Sequence, residues 1–431
     1  MKRRIIVSTS NSVAWLILFS SCLTQTSGQD SNWWQTTRVV PTEYYALKTD
    51  LPREQALELA KHMDATCESY VQTFSKLPVR VKRPATLGLF LFEEQDDYVG
   101  TLRRHFRTNA TGSWGMCITR GKTISLAGYR GKHSTEEMKP LLQHEGFHQF
   151  ASMLFPDMPK WAGEGMAEVF ERGVIVGGSL VLGDIPRADR DALSKAISQQ
   201  KTLNVGQLLR IEPKLWNQHV VSGNARIQYL QAWSLVQYFL FAENGRHRQK
   251  FLGFLVQLNS NTDWEEAFVS TFGWVDLRQL QKGWLTYCEQ MQTTDLRQSV
   301  REVEYLAAGM KHLRSINVFP SNATELKAAL SDADFQHTSD LYDKSVSLSP
   351  TLDILANVEP SSNAAEPEEQ IDLIFRDSRG RKPSASYQRR KSPAPLGIRT
   401  QGLQPQDLEI SWVRRGKTYS YRIGPARPSN R

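Results

Sequence analysis

Residues 143–150 read QHEGFHQF, and residues 159–171 read PKWAGEGMAEVFE. We predict one helix over residues 140–154, with a proline in its first turn, and a second helix over residues 161–171. Two prolines in the short segment between them end the first helix. The second helix can therefore fold back along the first, which brings the polar residues of the two stretches together.

The first helix carries two histidines on one face. His144 and His148 are four residues apart, so their side chains lie one above the other along the helix. Two imidazoles at this spacing can bind one Zn²⁺ at about 2.0–2.1 Å. Glu145 is one step round the helix, which places its carboxylate beside the metal, where it can take a proton from a water molecule. The alternative is a histidine pair without a metal, because an HExxH pattern also arises by chance.

A catalytic zinc site needs a third protein ligand and one open position. Glu164 on the second helix is the candidate, because the turn lets it face the histidine pair. Glu168 follows four residues later, and we predict that it accepts a hydrogen bond from the free N–H of a ligating histidine, His144. The alternative for both glutamates is an exposed acidic helix face. Small residues that suit close helix–helix approach argue against that alternative: Gly163, Gly165 and Ala167.

The two motifs together resemble those of the gluzincin metallopeptidases, which include thermolysin-like enzymes and zinc aminopeptidases. Their pattern is HExxH, a gap, and then a glutamate in a W-x-x-E-G-x-A-E-type helix. The chain is similar to uncharacterised bacterial gluzincin-like secreted proteins with a short gap. The resemblance implies that His144, His148 and Glu164 bind zinc and that Glu145 is the base. It also implies a zincin-like catalytic domain with a small mixed sheet, the HExxH helix and a helical lobe.

Peptide hydrolysis also needs a group that stabilises the developing oxyanion. The resemblance suggests a tyrosine or histidine from a downstream helix. Tyr229, in RIQYLQAWSLVQYFL, is the first candidate, and Tyr238 and His219 are alternatives. An equal interpretation of Tyr229 is a core residue whose hydroxyl is satisfied. By analogy with the same family, residues 114–119 are a candidate edge strand for extended substrate, the alternative being an ordinary hairpin.

The remaining sequence predicts helices and strands in separate regions, and therefore an α+β fold. The predicted strands cover residues 43–48, 87–92, 114–119, 123–127, 371–376, 408–413 and 418–423. The predicted helices cover residues 52–74 and 98–106 and much of 202–310. We therefore divide the chain into a signal peptide (1–28), a metallopeptidase domain (29–310), a helical and linker segment (311–370) and a small, basic, β-rich C-terminal domain (371–431).

The first 28 residues have the pattern of an export signal. Basic residues at 2–4 precede a short apolar run at 13–23, and small residues follow it. We therefore predict a secreted, periplasmic or cell-envelope protein. A buried N-terminal helix and lipid anchoring at Cys22 are the alternatives. The other three cysteines allow at most one disulfide, and no sequence rule selects the pair: Cys67, Cys117 and Cys288.

Positive charge is concentrated at the C-terminus. Residues 376–431 contain 14 Lys and Arg against 3 Asp and Glu, a balance of +11, so the rest of this +8 chain carries −3. Contact with an anionic surface through this tail is one interpretation. We favour a solvated appendage, because no nucleic-acid-binding module or interleaved basic–aromatic motif is recognisable. No apolar run reaches about 18 residues, so no transmembrane helix is expected.

These features together predict a zinc-dependent metallopeptidase that acts on a peptide or protein substrate, with no specific nucleic-acid partner. One alternative is a catalytically silent zincin-fold protein that acts as an envelope-binding scaffold. The intact Glu145 argues against it, because a purely structural site needs no base. The other alternative is a zinc hydrolase of a non-peptide amide, which would use the same metal chemistry.

Overall fold

The computed structural model describes residues 33–75, 86–120, 123–222, 225–258, 262–273, 277–351, 355, 371–383, 387, 393–416 and 418–426. The predicted signal peptide, with Cys22, and the predicted linker at 357–370 lie outside the described residues. The chain forms two compact units. The first comprises Met1–Glu171 and Asp191–Gln290, and the second comprises Arg172–Arg190 and Met291–Arg431.

The helices and strands of the described residues are numbered in chain order. They begin with α1 (Trp33–Thr36), β1 (Arg38–Pro41), β2 (Tyr45–Thr49), α2 (Arg53–Phe74), β3 (Leu87–Phe92), α3 (Gln95–Thr101), β4 (Gly115–Arg120), β5 (Thr123–Tyr129), α4 (Thr135–Leu154) and α5 (Lys160–Glu171). They continue with β6 (Val174–Val176), β7 (Ser179–Val181), α6 (Arg187–Ser198), α7 (Val205–Leu209), α8 (Pro213–Val221), α9 (Arg226–Gly245), α10 (Arg248–Leu258), α11 (Trp264–Phe272) and α12 (Leu277–Gln290). The last are α13 (Leu296–Ser315), α14 (Ala323–Asp332), β8 (His337–Ser339), β9 (Val346–Leu348), β10 (Asp372–Arg376), β11 (Gly397–Gln401), β12 (Leu408–Arg415) and β13 (Thr418–Pro425).

The first unit contains a five-stranded mixed sheet in the order β1-β2-β3-β5-β4. Strands β2, β3 and β5 run parallel to one another, whereas the edge strands β1 and β4 pair antiparallel with β2 and β5. Helix α4 is bound to the sheet by Gln149, whose Nε2 donates to the carbonyls of Gly88 (3.1 Å) and Ile124 (3.0 Å). Because Gln149 is fully buried, these bonds hold α4 in one position on the sheet.

Helix α4 begins five residues before the predicted start at Pro140. The Ser134 side chain accepts from the Glu137 N–H (3.2 Å), and the Glu137 carboxylate accepts from the Ser134 N–H (2.8 Å). This capping box satisfies two N–H groups that the helix itself cannot pair, so it sets the first turn. The prediction of Pro140 as the start was wrong: it lies inside the helix, where its missing N–H removes only one backbone bond.

Helix α5 runs back along α4, as predicted. Gln143, near the middle of α4, donates to the carbonyls of Phe170 and Glu171 at the end of α5. His148, further along α4, lies beside Glu164 near the start of α5. The other side of α5 packs on α9, with Gly165 directly against the backbone of Ala232. The position of Glu164 is therefore set by packing on both sides of α5.

The second unit combines α13 and α14 with a four-stranded antiparallel sheet in the order β10-β11-β12-β13. Helix and sheet share one core, in which Leu306 and Met310 of α13 join Phe375, Ile398 and Ile410 of the strands. The hairpin β6–β7 belongs to the same core. The boundary predicted at residue 310 therefore divides α13, because the apolar face of this helix is buried by strands that come much later in the chain.

The seven predicted strands are confirmed as β2, β3, β4, β5, β10, β12 and β13. The sequence did not predict β1, β6 to β9 or β11. Strands β6 to β9 have three residues each, which are too few for an alternating pattern. The mixture of helices with several separate sheets is compatible with the predicted α+β class. No described helix is long and apolar enough to cross a bilayer. The three cysteines of the described chain, Cys67, Cys117 and Cys288, form no disulfide.

Candidate metal centre

Three side-chain atoms from α4 and α5 converge on one point. His148 Nε2 lies 3.1 Å from His144 Nε2 and 3.2 Å from Glu164 Oε2, and the third separation, His144 Nε2 to Glu164 Oε2, is 3.4 Å. Ligand atoms at 2.0–2.1 Å from a tetrahedral zinc ion lie about 3.3–3.4 Å apart. The triangle therefore has the size that a single zinc ion would require.

The burial of these residues is unequal. The side chains of His144 and Glu164 are each 2% exposed, whereas that of His148 is 24% exposed. The triangle therefore reaches solvent on the His148 side. An enclosed group of donors with one open side can admit a small ligand at a fourth position, which is the arrangement of catalytic rather than structural zinc sites.

The hydrogen-bond partner of His144 differs from the predicted one. Its Nδ1 lies 2.8 Å from Glu171 Oε2 but 3.9 Å from Glu168 Oε1. Glu171 is seven residues after Glu164, which places it about 20° from Glu164 around the helix, while Glu168 lies about 40° away. The prediction considered only the four-residue spacing and therefore missed Glu171. A carboxylate on Nδ1 leaves Nε2 of His144 with its lone pair toward the triangle.

Glu145 points toward the edge strand rather than into the triangle. Its Oε2 accepts a hydrogen bond from the backbone N–H of Cys117 on β4 (2.9 Å). Its Oε1 is buried and has no hydrogen-bond partner among the described residues. Burial raises the pKa of Glu145 to about 8. One oxygen is thus anchored to the protein, and the other is available to a water molecule or ligand.

The carboxylates and the histidines of the centre shift one another's pKa values. Burial disfavours charge on His144, yet hydrogen bonds to Glu164 and Glu171 outweigh it and raise the pKa of His144 well above its usual value. Burial lowers the pKa of His148. Burial disfavours charge on Glu164 too, but the charge of His148 helps to hold the pKa of Glu164 well below normal. A dication that replaced the histidine proton would satisfy the same carboxylates.

Several buried acids lie around the candidate centre. Glu145 and Glu164 are each 1% exposed, and Glu168 is 4% exposed. Isolated buried carboxylates are strongly unfavourable, so such groups are paired or coordinate a metal. Among the described residues, two clusters of His, Cys, Asp or Glu have ligand atoms close enough to bind a metal, and they share His144. The second cluster contains Glu168 and Glu171.

The three oxyanion candidates lie in different surroundings. Tyr229 is buried, and its pKa is raised well above normal. Burial is the main cause, and the negative charge of Glu164 adds to it. The hydroxyl of Tyr229 therefore keeps its proton and can donate a hydrogen bond. Its oxygen accepts from Trp216 Nε1 (3.3 Å). By contrast, the Tyr238 hydroxyl lies 3.3 Å from Nε2 of His247. The pKa of Tyr238 is raised, mainly by burial and secondly by the charge of Glu243.

The third candidate, His219, is paired through Nδ1 with Gln228 Oε1 (2.7 Å). This bond fixes the orientation of the imidazole on α8. No hydrogen bond or ion pair links His219 to the three converging residues among the described residues. Of the three candidates, Tyr229 is therefore the one for which the structure gives an electrostatic link to Glu164.

Comparison with known proteins adds no assignment. No protein-family model matches the chain, and no curated protein is significantly similar to it. The gluzincin resemblance therefore rests on the two motifs, and the chemistry must be argued from the side chains described above.

We expect Glu171 to orient His144 more strongly than Glu168 does. Glu171→Gln should weaken Zn²⁺ binding by about 10–100-fold, because loss of a carboxylate that orients a ligand costs that much. Glu168→Gln is the matched control and should have a smaller effect, given its 3.9 Å separation from the ring nitrogen. Competition with a chromophoric chelator measures both constants. A larger loss of Zn²⁺ affinity in Glu168→Gln than in Glu171→Gln would show that Glu168, as predicted from the sequence, orients His144.

Proposed function

We propose that the chain is a zinc-dependent metallopeptidase of the gluzincin type. The observation that carries the proposal is the triangle of His144 Nε2, His148 Nε2 and Glu164 Oε2, with sides of 3.1 to 3.4 Å and one side open to solvent. Two imidazoles and one carboxylate are a ligand set of catalytic zinc peptidases. The donor types and the enclosed acidic surroundings both fit Zn²⁺.

The three ligands would hold the ion, and Glu171 would keep His144 in the tautomer that presents Nε2. A zinc ion at this position would polarise the scissile carbonyl and make a water molecule more acidic. Glu145 would accept the proton of that water on Oε1, while Oε2 stays bound to Cys117 N–H. The same carboxyl group would then deliver the proton to the leaving amine.

Strand β4 is the proposed platform for the substrate chain. It lies at the end of the sheet order and pairs with β5 among the described strands. Its Cys117 N–H contacts Glu145, so the outer edge of β4 borders the base. An extended peptide can add to such an edge through backbone hydrogen bonds. This placement would bring a scissile bond between β4 and the three ligands.

Tyr229 is the proposed donor to the oxyanion that forms as water attacks the carbonyl. It comes from α9, the helix that packs against α5, and it feels the charge of Glu164. Its raised pKa keeps the hydroxyl protonated, as a hydrogen-bond donor requires. The bond from Trp216 to the Tyr229 oxygen uses an acceptor position of the hydroxyl rather than its O–H.

Digestion of a peptide library by the purified protein tests the proposal. We expect cleavage that a chelator abolishes and that Zn²⁺ restores, with about one zinc per chain by elemental analysis. Zinc at that stoichiometry without cleavage of any peptide would favour the scaffold, or a hydrolase of another amide. Protein that neither contains nor takes up zinc would reject the metal site itself.

A further inference from the structure

A lysine contacts the metal-binding carboxylate of the candidate centre. Lys160 Nζ lies 3.3 Å from Glu164 Oε1, while the other oxygen, Oε2, faces the two histidines at 3.2 and 3.4 Å. The two oxygens of one buried carboxylate are thus divided between an ammonium group and the imidazole pair. Neither HExxH nor the glutamate motif requires a lysine at this position.

The position of Lys160 is unfavourable for α5 alone. It is the first residue of the helix, and the first turn contains no acidic residue. The positive end of the helix dipole lies there, so a cation at this position is disfavoured. Residues that are unfavourable for the local helix are expected mainly at functional sites, where another interaction offsets their cost. The contact with Glu164 is the compensation that the structure offers.

The ammonium also stands close to where a dication would bind. Its Nζ contacts one oxygen of the same carboxylate whose other oxygen faces His144 and His148. A cation in this place weakens metal binding, because like charges repel in a poorly solvated site. A helix-stabilising ion pair would not need to be beside the ligands. This unfavourable effect on metal affinity indicates that Lys160 controls how Glu164 coordinates the ion, not how tightly the ion is bound.

We propose that Lys160 is a positioning residue that restricts Glu164 to coordination through Oε2 alone. This inference rests on the proposed zinc site. By occupying Oε1, the ammonium prevents the carboxylate from binding the ion with both oxygens. The remaining coordination position stays available for water or substrate, as a catalytic zinc site requires. The same bond withdraws negative charge from Glu164, which leaves the bound ion more electrophilic.

Co²⁺ provides the probe, because its visible absorption is strong in four-coordinate sites and weak when a fifth ligand binds. The metal-free full-length protein and three variants are titrated with Co²⁺, and Zn²⁺ affinity is measured by chelator competition. The variants are Lys160→Met, Lys160→Arg and, as a control, Lys195→Met, which removes an exposed lysine of α6. Lys160→Gln, which keeps a polar side chain, replaces Lys160→Met if the apolar variant fails to fold.

We expect Lys160→Met to lower the Co²⁺ absorption by about twofold, because Glu164 becomes a two-oxygen ligand. It should also bind Zn²⁺ about tenfold more tightly, because a repelling charge is gone. Lys160→Gln should share the tighter binding, whereas Lys160→Arg and Lys195→Met should match the wild type. If Lys160→Met has the Co²⁺ spectrum and the Zn²⁺ affinity of the wild type, the role of Lys160 is overturned while the proposed zinc site stands. A wild-type protein that binds neither metal would overturn the proposed function together with it.

Discussion

Glu145→Gln is expected to lower kcat/KM for peptide cleavage by about 10²–10⁴-fold while zinc content stays at the wild-type level. The glutamine keeps the shape of the side chain, and its carbonyl can still accept from the Cys117 N–H. It cannot accept a proton, so the role proposed for Oε1 is lost. The base acts when deprotonated, so wild-type kcat/KM should rise with pH, and this rise should be absent in the variant.

Glu54→Gln is a suitable control for this change. Glu54 is an exposed carboxylate on α2, and its replacement should leave both activity and zinc content unchanged. Elemental analysis of each protein separates loss of the base from loss of the ion. Full hydrolysis by Glu145→Gln would remove Glu145 from the mechanism, even if the zinc site itself were established.

Gly165→Ala is expected to lower the free energy of unfolding by about 3 kcal/mol. A Cβ at this position would lie 2.5 Å from the backbone oxygen of Ala232 and 2.6 Å from Val236 Cγ2. The backbone of α9 cannot move aside as a flexible side chain can, so α5 would have to shift. Because Glu164 is the preceding residue, the same shift should weaken Zn²⁺ binding. Chemical denaturation and chelator competition measure the two effects.

Gly163→Ala on the same helix is the matched control. A Cβ there would meet only Met158 Sδ, at an ordinary contact distance of 3.7 Å. Alanine is favoured over glycine in a helix by about 0.8–1.0 kcal/mol, so this variant should be as stable as the wild type or more stable. Equal stabilities of the Gly163 and Gly165 variants would show that α5 and α9 are not held in close contact.

Much of the local structure could be predicted from the chain. Helix α2 was correct to within one residue, because apolar residues repeat along it every three to four positions and a proline precedes it. The strands predicted at 114–119 and 123–127 were also confirmed, and they pair antiparallel as β4 and β5. The start of α4 was missed although its signal was present, since Ser134 and Glu137 have the spacing of a capping box.

The sequence by itself determined which residue types stand at helical spacing: the two histidines of α4, Glu145 between them, and Glu164 on the next helix. That information is local, because helix geometry relates residues three and four apart. Only the tertiary structure decided that Glu171 rather than Glu168 bonds His144, that Lys160 shares Glu164 with the imidazoles, and that α13 belongs with the C-terminal strands. These outcomes depend on the rotation and separation of packed elements, which small residues such as Gly165 set through contacts with distant parts of the chain.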